Sequence, residues 1–373
     1  MRSRKPLAAA FGALMLMGSL VACSGGDDAG SDASGGGSDG ATKVIIISKS
    51  YQNQFYQAAF AGAQAAADEL GVELTTNGPD AESNISQQVE QLASAVNQKP
   101  AAIALAASDP DAVQDTLAQA KSAGIPVIGF DSGVPGDKSG AVVATAATDN
   151  EAAGGNVATN LVGNKDVQAA LAKGTEAKPA VVAVLAQDST SGSIVQRVDG
   201  FVNTAKAEIE KLPGLEGAVD VSGQQKWTQP STNPAKVKIV VTVPPTTSQS
   251  DIQAAAGTIL STEGLVAVFA ANQDGVNSLI SSTGDATELN RETGKYKGIF
   301  VVGFDAGASQ KAAVASGAFL GSVSQDPYQM GYQAVSMAVA ASKGEEVKDV
   351  DTGSKWYDAS NIADDDIAIL LYD

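Results

Sequence analysis

The feature that most constrains the fold is a repeated alternation of short apolar runs and alanine-rich segments, which begins at Lys43. In the first half, apolar runs rich in β-branched residues occupy 43–48, 72–76, 101–106, 124–130 and 141–145. Segments with helical character separate the first four of them, at 53–70, 84–98 and 110–123. Continuous apolar strands that alternate with helices are typical of parallel sheets covered by helices on both faces. The pattern predicts a doubly wound α/β lobe.

The same pattern then starts again. Helical segments are predicted at 150–164, 194–211, 250–262, 274–283 and 307–316, and strands at 180–186, 237–243, 265–270 and 298–304. A Pro/Ser/Thr-rich insertion at 226–236 interrupts the second series and contains Trp227, to which we assign no role. The predicted fold class is therefore α/β, with two doubly wound parallel-sheet lobes.

The first 42 residues have a different character. Arg2, Arg4 and Lys5 precede an apolar stretch that ends in Leu20-Val21-Ala22-Cys23, a pattern that resembles a bacterial lipobox. We predict a lipoprotein signal peptide at 1–22 and a Cys23 that is acylated and anchors the chain outside the cytoplasm, on the bacterial cell membrane. The alternative is an ordinary secretory signal with a chance cysteine. Residues 23–42 are mainly Gly, Ser and Asp and predict a flexible tether.

Composition excludes several classes of function. The chain contains no histidine and one cysteine, so histidine-based catalytic dyads and Cys₄ zinc sites are excluded, and we expect neither a metal nor a cofactor. With 24 basic and 42 acidic residues, the net charge is −18. That charge argues against binding to nucleic acid and to strongly anionic substrates.

Candidate ligand-binding residues follow the predicted strands, because doubly wound sheets bind ligands at the carboxyl ends of their strands. The segments read there are rich in amides, carboxylates and aromatic rings and contain no basic residue. This chemistry suits a neutral, polyhydroxylated ligand such as a sugar. The candidates are Asn53, Phe55, Tyr56, Asp131, Asp188, Asn272, Phe304, Asp305 and Gln325.

Structural roles are also open for several of these residues. Asn53 and Asn272 precede predicted helices and could simply cap them, while Phe55 and Tyr56 could belong to the core. The pair Phe130-Asp131 recurs as Phe304-Asp305 at a strand end of the second lobe. This repetition argues that the two acids do more than form turns.

The segments KVIIISKSYQNQFY, AGIPVIGFDSG, ATDN, VFAANQDG, VVGFDAG and SVSQDPYQMG resemble the type I periplasmic sugar-binding proteins of ABC importers, in the ribose-binding subgroup. The resemblance covers nearly all of 43–373. It implies the type I periplasmic binding protein fold, with a three-stranded hinge near 148–149, 325 and 351–354. The implied lobes are 43–148 plus 326–351, and 149–325 plus 352–373.

The resemblance also implies roles for individual residues. Asn53, Phe55 and Tyr56 would bind and stack on the sugar in the first lobe, with Asp131 as its strand-end acid. In the second lobe these roles fall to Asn272, to Asp305 with Phe304 beside it, and to the hinge residue Gln325.

The sequence departs from the ribose binders at three positions. Ser132 replaces an arginine, Ala106 replaces an asparagine, and Val195 aligns with a second arginine. Arg197 is expected to face its own helix, so bidentate guanidinium contacts to the sugar are expected to be missing. Asp188 would supply a carboxylate instead. Ribose itself is therefore not implied.

The resemblance implies a monomeric, non-enzymatic protein that captures a neutral monosaccharide by lobe closure and delivers it to an ABC importer permease. An alternative is a sensor of a sugar, or of a furanose-like signal such as autoinducer-2, that presents its closed form to a receptor. A sugar-modifying enzyme with Asp131 and Asp305 as acid and base is a further alternative.

Overall fold

The computed structural model describes residues 42–372 of the chain. Its strands are β1 (Lys43–Ile47), β2 (Glu73–Asn77), β3 (Ala102–Leu105), β4 (Val127–Phe130), β5 (Val142–Ala147), β6 (Ala180–Leu185), β7 (Val219–Gly223), β8 (Val237–Thr242), β9 (Leu265–Ala270), β10 (Phe300–Phe304), β11 (Gly321–Gln325), β12 (Val350–Asp351) and β13 (Ser354–Tyr357). The predicted signal peptide, Cys23 and residues 23–41 of the tether lie outside the described residues.

Helices connect these strands. They are α1 (Gln54–Leu70), α2 (Ile85–Asn97), α3 (Gln114–Ser122), α4 (Asn150–Gly163), α5 (Lys165–Leu171), α6 (Gly192–Glu210), α7 (Gln249–Leu260), α8 (Gln273–Ser282), α9 (Ala308–Ala315), α10 (Pro327–Ser342) and α11 (Asp365–Ala368). Within residues 42–372, no helix combines the length and the apolar character that crossing a bilayer requires.

The strands form two separate sheets, one for each lobe. The first sheet has six strands in the order β12-β5-β4-β3-β1-β2, and the second has seven in the order β13-β11-β10-β9-β6-β8-β7. All neighbouring strands pair in parallel except β11 and β13, which are antiparallel. Central strands such as β3, β4 and β6 are buried along their whole length, as their continuous apolar sequences require. The predicted two-lobed α/β fold is confirmed.

The chain passes between the two sheets three times. It leaves the first sheet after β5, returns to it after β11, and crosses again between β12 and β13. After the first crossing α4 packs on α6 of the second lobe, and after the second crossing α10 packs on α1 of the first lobe. Both helix pairs approach closely at glycine. A Cβ on Gly62 would lie 1.9 Å from the Tyr328 carbonyl oxygen, and one on Gly154 would lie 2.0 Å from that of Arg197.

Some elements were not predicted from the sequence. β7 reads Val-Asp-Val-Ser-Gly and is an edge strand, so it lacks the continuous apolar run from which the other strands were predicted. The helix α10 begins at Pro327 directly after β11, and the sequence reading stopped at the strand-end motif before it. The insertion at 226–236 is irregular apart from a short 3₁₀ turn at Gln225–Trp227. Trp227 is buried there, and its indole N–H donates to Asp199 Oδ1 at 2.8 Å.

Candidate functional site

The strand ends of the two sheets enclose a cavity of about 30 Å³ between the lobes. A space of that size holds one or two water molecules. Residues of both lobes line it: Lys49, Asn53, Phe55, Tyr56, Glu82, Asp131, Ser193, Ile194, Arg197, Asn272, Gln273, Asp305 and Gln325. Seven of the nine residues predicted to bind ligand therefore lie together in one place.

Asp131 is the acid of the first lobe. It directly follows β4, adopts a left-handed backbone conformation with φ 52°, and its side chain is buried. A non-glycine residue tolerates this conformation best when it is Asn or Asp. The Tyr56 hydroxyl donates to Asp131 Oδ2 at 2.7 Å, and the Lys49 ammonium lies 3.3 Å from the same oxygen.

Lys49 supplies a cation that the sequence reading missed. It lies two residues beyond the end of β1, is only 4% exposed, and reaches across the cleft to Ser191 Oγ at 3.2 Å and Ser193 Oγ at 3.5 Å. Burial alone would lower the pKa of Lys49, but the carboxylates of Asp131 and Glu82 raise it, and the net effect is upward. Lys49 is therefore a charged donor that joins the two lobes.

Glu82, in the loop between β2 and α2, is a second residue that the sequence reading missed. Its Oε2 accepts a 2.6 Å hydrogen bond from Gln187 Nε2 of the second lobe and lies 3.9 Å from Lys49 Nζ. Burial raises the pKa of Glu82 to about 7, although the Lys49 ammonium opposes the shift. Glu82 therefore forms another contact across the cleft, and one that titrates near neutral pH.

Asp305 is the acid of the second lobe and repeats the backbone of Asp131. It directly follows β10 with φ 71° and is buried. Gln325 Nε2 donates to its Oδ1 at 2.7 Å, and the backbone N–H of Gln273 donates to its Oδ2 at 3.0 Å. Burial raises the pKa of Asp305, although the Arg197 guanidinium and the Gln325 amide oppose this.

Arg197 corrects the expectation that the site lacks a guanidinium. Its side chain is 2% exposed and lines the cavity, with the guanidinium 3.6 Å above the Phe304 ring. Nη1 donates to the Ala271 carbonyl at 2.6 Å, while Nε and Nη2 donate to Asn150 Oδ1 at 3.1 and 2.7 Å. Three of the five N–H groups of an arginine are thus used. The sequence indicated the burial of Arg197 but not its place in the cavity, since Ile194, Arg197, Val198 and Phe201 share one apolar helix face.

Asn53 and Asn272 each cap a helix and also line the cavity, so the two roles considered for them occur together. The Asn53 side chain accepts from the Phe55 N–H at 2.9 Å and caps α1, and the Asn272 side chain accepts from the Gly275 N–H at 3.1 Å and caps α8. Each also lines the cavity. Phe55 and Tyr56 line it as well, with their rings edge to face at 5.1 Å.

Asp188 and Phe304 do not line the cavity. Asp188 Oδ1 accepts from the backbone N–H groups of Thr190 at 2.9 Å and Ser191 at 2.7 Å, so this carboxylate orders the loop that presents Ser191 to Lys49. Phe304 is fully buried in the core of the second lobe, beneath the Arg197 guanidinium. Both residues therefore support cavity residues instead of facing the cavity.

Two buried acceptors in the cavity wall lack donors. Gln325 Oε1 and Gln273 Oε1 find no hydrogen-bond partner among residues 42–372, and the two side chains are 1% and 4% exposed. Buried polar groups are normally paired, and an unpaired one costs about 1–3 kcal/mol. Across the same residues, no group of three acidic or cysteine side chains is placed to hold a metal ion. The cavity thus offers carboxylates, amides, one ammonium and one guanidinium, which are donors and acceptors for hydroxyl groups.

Comparison with known proteins agrees with this architecture. Residues 44–346 match the family model described as a periplasmic binding protein domain. A structure titled ABC transporter, LacI family transcriptional regulator, from Brachyspira murdochii is 33% identical, covers 89% of this chain and 99% of its own, and superposes with a TM-score of 0.72.

Two further structures are solute-binding proteins with sugars bound, the first titled as an ABC transporter protein and the second as a carbohydrate transporter protein. One, from Agrobacterium vitis with D-fucose, is 26% identical over 88% of this chain and 100% of its own, with a TM-score of 0.71. The other, from Agrobacterium radiobacter with D-arabinose, is 27% identical over 90% of this chain and 100% of its own, with a TM-score of 0.69. The family match, the two-sheet topology and the cleft between the sheets lead to one conclusion: this chain belongs to the periplasmic binding proteins, with the type I fold.

Proposed function

We propose that this chain is an extracytoplasmic solute-binding protein that captures a neutral monosaccharide between its lobes and delivers it to the permease of an ABC importer. The observation that carries the proposal is the pair of strand-end acids, Asp131 and Asp305, which come from different lobes and line one cavity. The sugar complexes of the two Agrobacterium proteins support the ligand class.

The proposed mechanism is closure of the lobes around the sugar. The three crossings of the chain near 148, 325 and 352 form the hinge, about which the lobes part to admit the ligand. A ligand that contacts both lobes binds the closed form preferentially and shifts the population toward it. Sugar hydroxyls would donate to Asp131, Asp305 and the free Gln325 Oε1. Lys49 would exchange its contacts with Ser191 and Ser193 for contacts with the sugar.

Specificity follows from the burial of these groups. Once the lobes close, the two glutamine oxygens without a donor, Gln325 Oε1 and Gln273 Oε1, need a hydroxyl group. A sugar that lacks a hydroxyl at either place leaves a buried acceptor unpaired at about 1–3 kcal/mol. Within the cavity, Lys49 and Arg197 face Asp131, Asp305 and Glu82, and burial raises the pKa of Glu82 to about 7. The positive and negative groups therefore largely offset one another, which favours an uncharged ligand. The chain catalyses no reaction in this proposal and acts as a monomer.

A thermal unfolding screen tests the proposal directly. The part of the chain from residue 43 onward should gain stability with at least one member of a panel of pentoses, hexoses, deoxysugars and polyols. A sugar present at about 100 times its Kd adds about 2.7 kcal/mol to the free energy of unfolding. A panel that produces no change in Tm with any member would contradict the sugar assignment.

The proposal includes a lipid anchor at Cys23. Acyl chains partition into a bilayer at about 0.8 kcal/mol per CH₂ group, so a doubly acylated cysteine holds the protein at the membrane. The Cys23→Ala variant should therefore be released into the soluble fraction of cells, and membrane association that survives the substitution would rule the anchor out.

A further inference from the structure

A second space adjoins the cavity between the lobes, and we call it the outer chamber. Its volume is about 360 Å³, against about 30 Å³ for the cavity. Residues of both lobes line it: Ser50, Gln52, Asn53, Gln54, Asp80, Ala81, Glu82, Thr247, Gln249, Gln273, Asp274 and Asn277. The chamber is therefore part of the cleft between the lobes.

The outer chamber and the cavity share part of their walls. Asn53, Glu82 and Gln273 line both spaces. Gln273 Nε2 also donates to Gln54 Oε1 across the cleft at 2.9 Å, so the lobes meet at this boundary. A ligand held by cavity residues would touch the same side chains that face the chamber.

The residues that line the outer chamber determine which chemical groups of a ligand can bind there. Ala81 is the one apolar residue in its wall, and Asp80, Glu82 and Asp274 bring three carboxyl groups without a lysine or arginine among the residues described. The buried Gln273 Oε1, at the boundary, has no donor within residues 42–372. A hydroxyl-bearing group that displaced Gln54 from Gln273 would supply that donor. An anionic group would meet three carboxyl groups, of which Glu82 has the Lys49 ammonium 3.9 Å away.

We propose that the ligand extends from the cavity into the outer chamber, so that the captured sugar carries a neutral, hydroxylated substituent such as a second sugar ring. The inference rests on the proposed function and changes its ligand, from a free monosaccharide to a sugar ring that is substituted on the side facing Glu82 and Gln273.

Calorimetry on matched ligands tests the inference. The probes are D-fucose, D-arabinose, D-galactose and D-glucose, each beside its methyl glycosides, its 1-phosphate and disaccharides in which it is substituted at each hydroxyl in turn. At least one disaccharide should bind tenfold or more tightly than the free sugar. The corresponding 1-phosphate should bind at least tenfold more weakly than the methyl glycoside.

Substitutions that fill the outer chamber test whether the second sugar ring binds there. Thr247 and Asn277 line the outer chamber but not the cavity. Thr247→Trp and Asn277→Trp should each lower the affinity for the disaccharide at least tenfold while changing the affinity for the free sugar less than threefold. Two variants are used because either could fold poorly. Gln196→Trp is the matched control, since this exposed residue lines a space of about 310 Å³ on the hinge side of the same cleft.

The outcomes separate this inference from the proposed function. Free sugars that bind at least as tightly as every extended ligand would overturn the inference and leave the proposed function standing. Equal losses in the chamber variants and in Gln196→Trp would also overturn it. If neither free nor extended sugars bind, the proposed function fails and the inference fails with it.

Discussion

The two lobes use the same backbone device to present an acid, but they hold the acid in different ways. Asp131 and Asp305 each follow a phenylalanine at a strand end, each adopts a positive φ, and each is buried. Asp131 has an ammonium group 3.3 Å away, whereas Asp305 accepts from an amide and a backbone N–H. A repeated sequence motif thus fixes the position of a charge, while residues distant in the sequence decide how that charge is balanced.

The largest expected effect comes from removing each acid in turn. Asp131→Ala leaves the buried Lys49 without its nearest carboxylate and should lower the free energy of unfolding by about 3–5 kcal/mol. Asp305→Ala leaves the Gln325 amide and the Gln273 N–H without their acceptor. It also removes the carboxylate nearest the Arg197 guanidinium, but that group keeps its three hydrogen bonds to Asn150 and Ala271, so the variant should cost about 1–3 kcal/mol. Both variants should lose sugar binding, measured by calorimetry, and their stabilities would come from urea unfolding.

The double variant Lys49→Met with Asp131→Ala is the matched control for this difference. It removes the buried ammonium that has lost its nearest carboxylate and should recover most of the stability that Asp131→Ala loses, but not sugar binding. Equal losses in the two single variants, or no recovery in the double variant, would show that the lobes do not differ in this way.

A smaller change in the free energy of unfolding is expected when the pH changes, and it arises from Glu82 in the first lobe. Burial raises the pKa of Glu82 from its usual 4.5 to about 7, so the folded protein holds a proton that the unfolded chain releases. Stability should therefore fall as pH rises from about 4.5 to 7, by at most about 3 kcal/mol at roughly 1.4 kcal/mol per pKa unit.

The Glu82→Gln variant isolates this contribution. It keeps a polar side chain of the same size near Gln187 and should flatten the dependence of Tm on pH over that interval. Asp305, whose pKa is also raised by burial, would leave a residual slope of the same sign. A slope unchanged from that of the unmodified protein would assign the pH dependence to other groups.

The smallest effect is expected at the hinge end of the second lobe. Gln325→Leu removes the amide that donates to Asp305 and also the unpaired Gln325 Oε1. The loss of one hydrogen bond to a charged group should cost about 1.5–3 kcal/mol, partly offset because the buried acceptor without a donor is removed as well. Sugar affinity should fall about tenfold by calorimetry. A larger loss of stability than in Asp131→Ala would reverse the proposed difference between the lobes.

The sequence allowed the fold and part of the site to be predicted, for identifiable reasons. Parallel sheets bring strand ends together, so the residues after β1, β4, β9, β10 and β11 could be grouped without coordinates. Lys49 was missed because a lone lysine just after a strand is typical of an exposed surface, and its acidic partners Asp131 and Glu82 are distant in the sequence. Glu82 lies in a loop after an edge strand and carries no motif.

Arg197 and Phe304 show a second limit of sequence-based prediction, which is the direction in which a buried side chain points. Arg197 belongs to the apolar face of α6, and only the packing of that helix shows that its guanidinium reaches the cavity. Phe304 was expected beside the ligand but lies one layer below it, under Arg197. Its position could have indicated this, because Phe304 is the last residue of β10, an apolar strand that is buried along its whole length.

The central claim is that one uncharged sugar is held at the same time by an acid from each lobe. The measurement that tests it most directly is a crystal structure of the complex with a sugar identified in the thermal screen. The account predicts sugar hydroxyls within hydrogen-bonding distance of both Asp131 and Asp305, with the lobes closed around the ring. A sugar bound to one lobe alone, or outside the cleft, would contradict it.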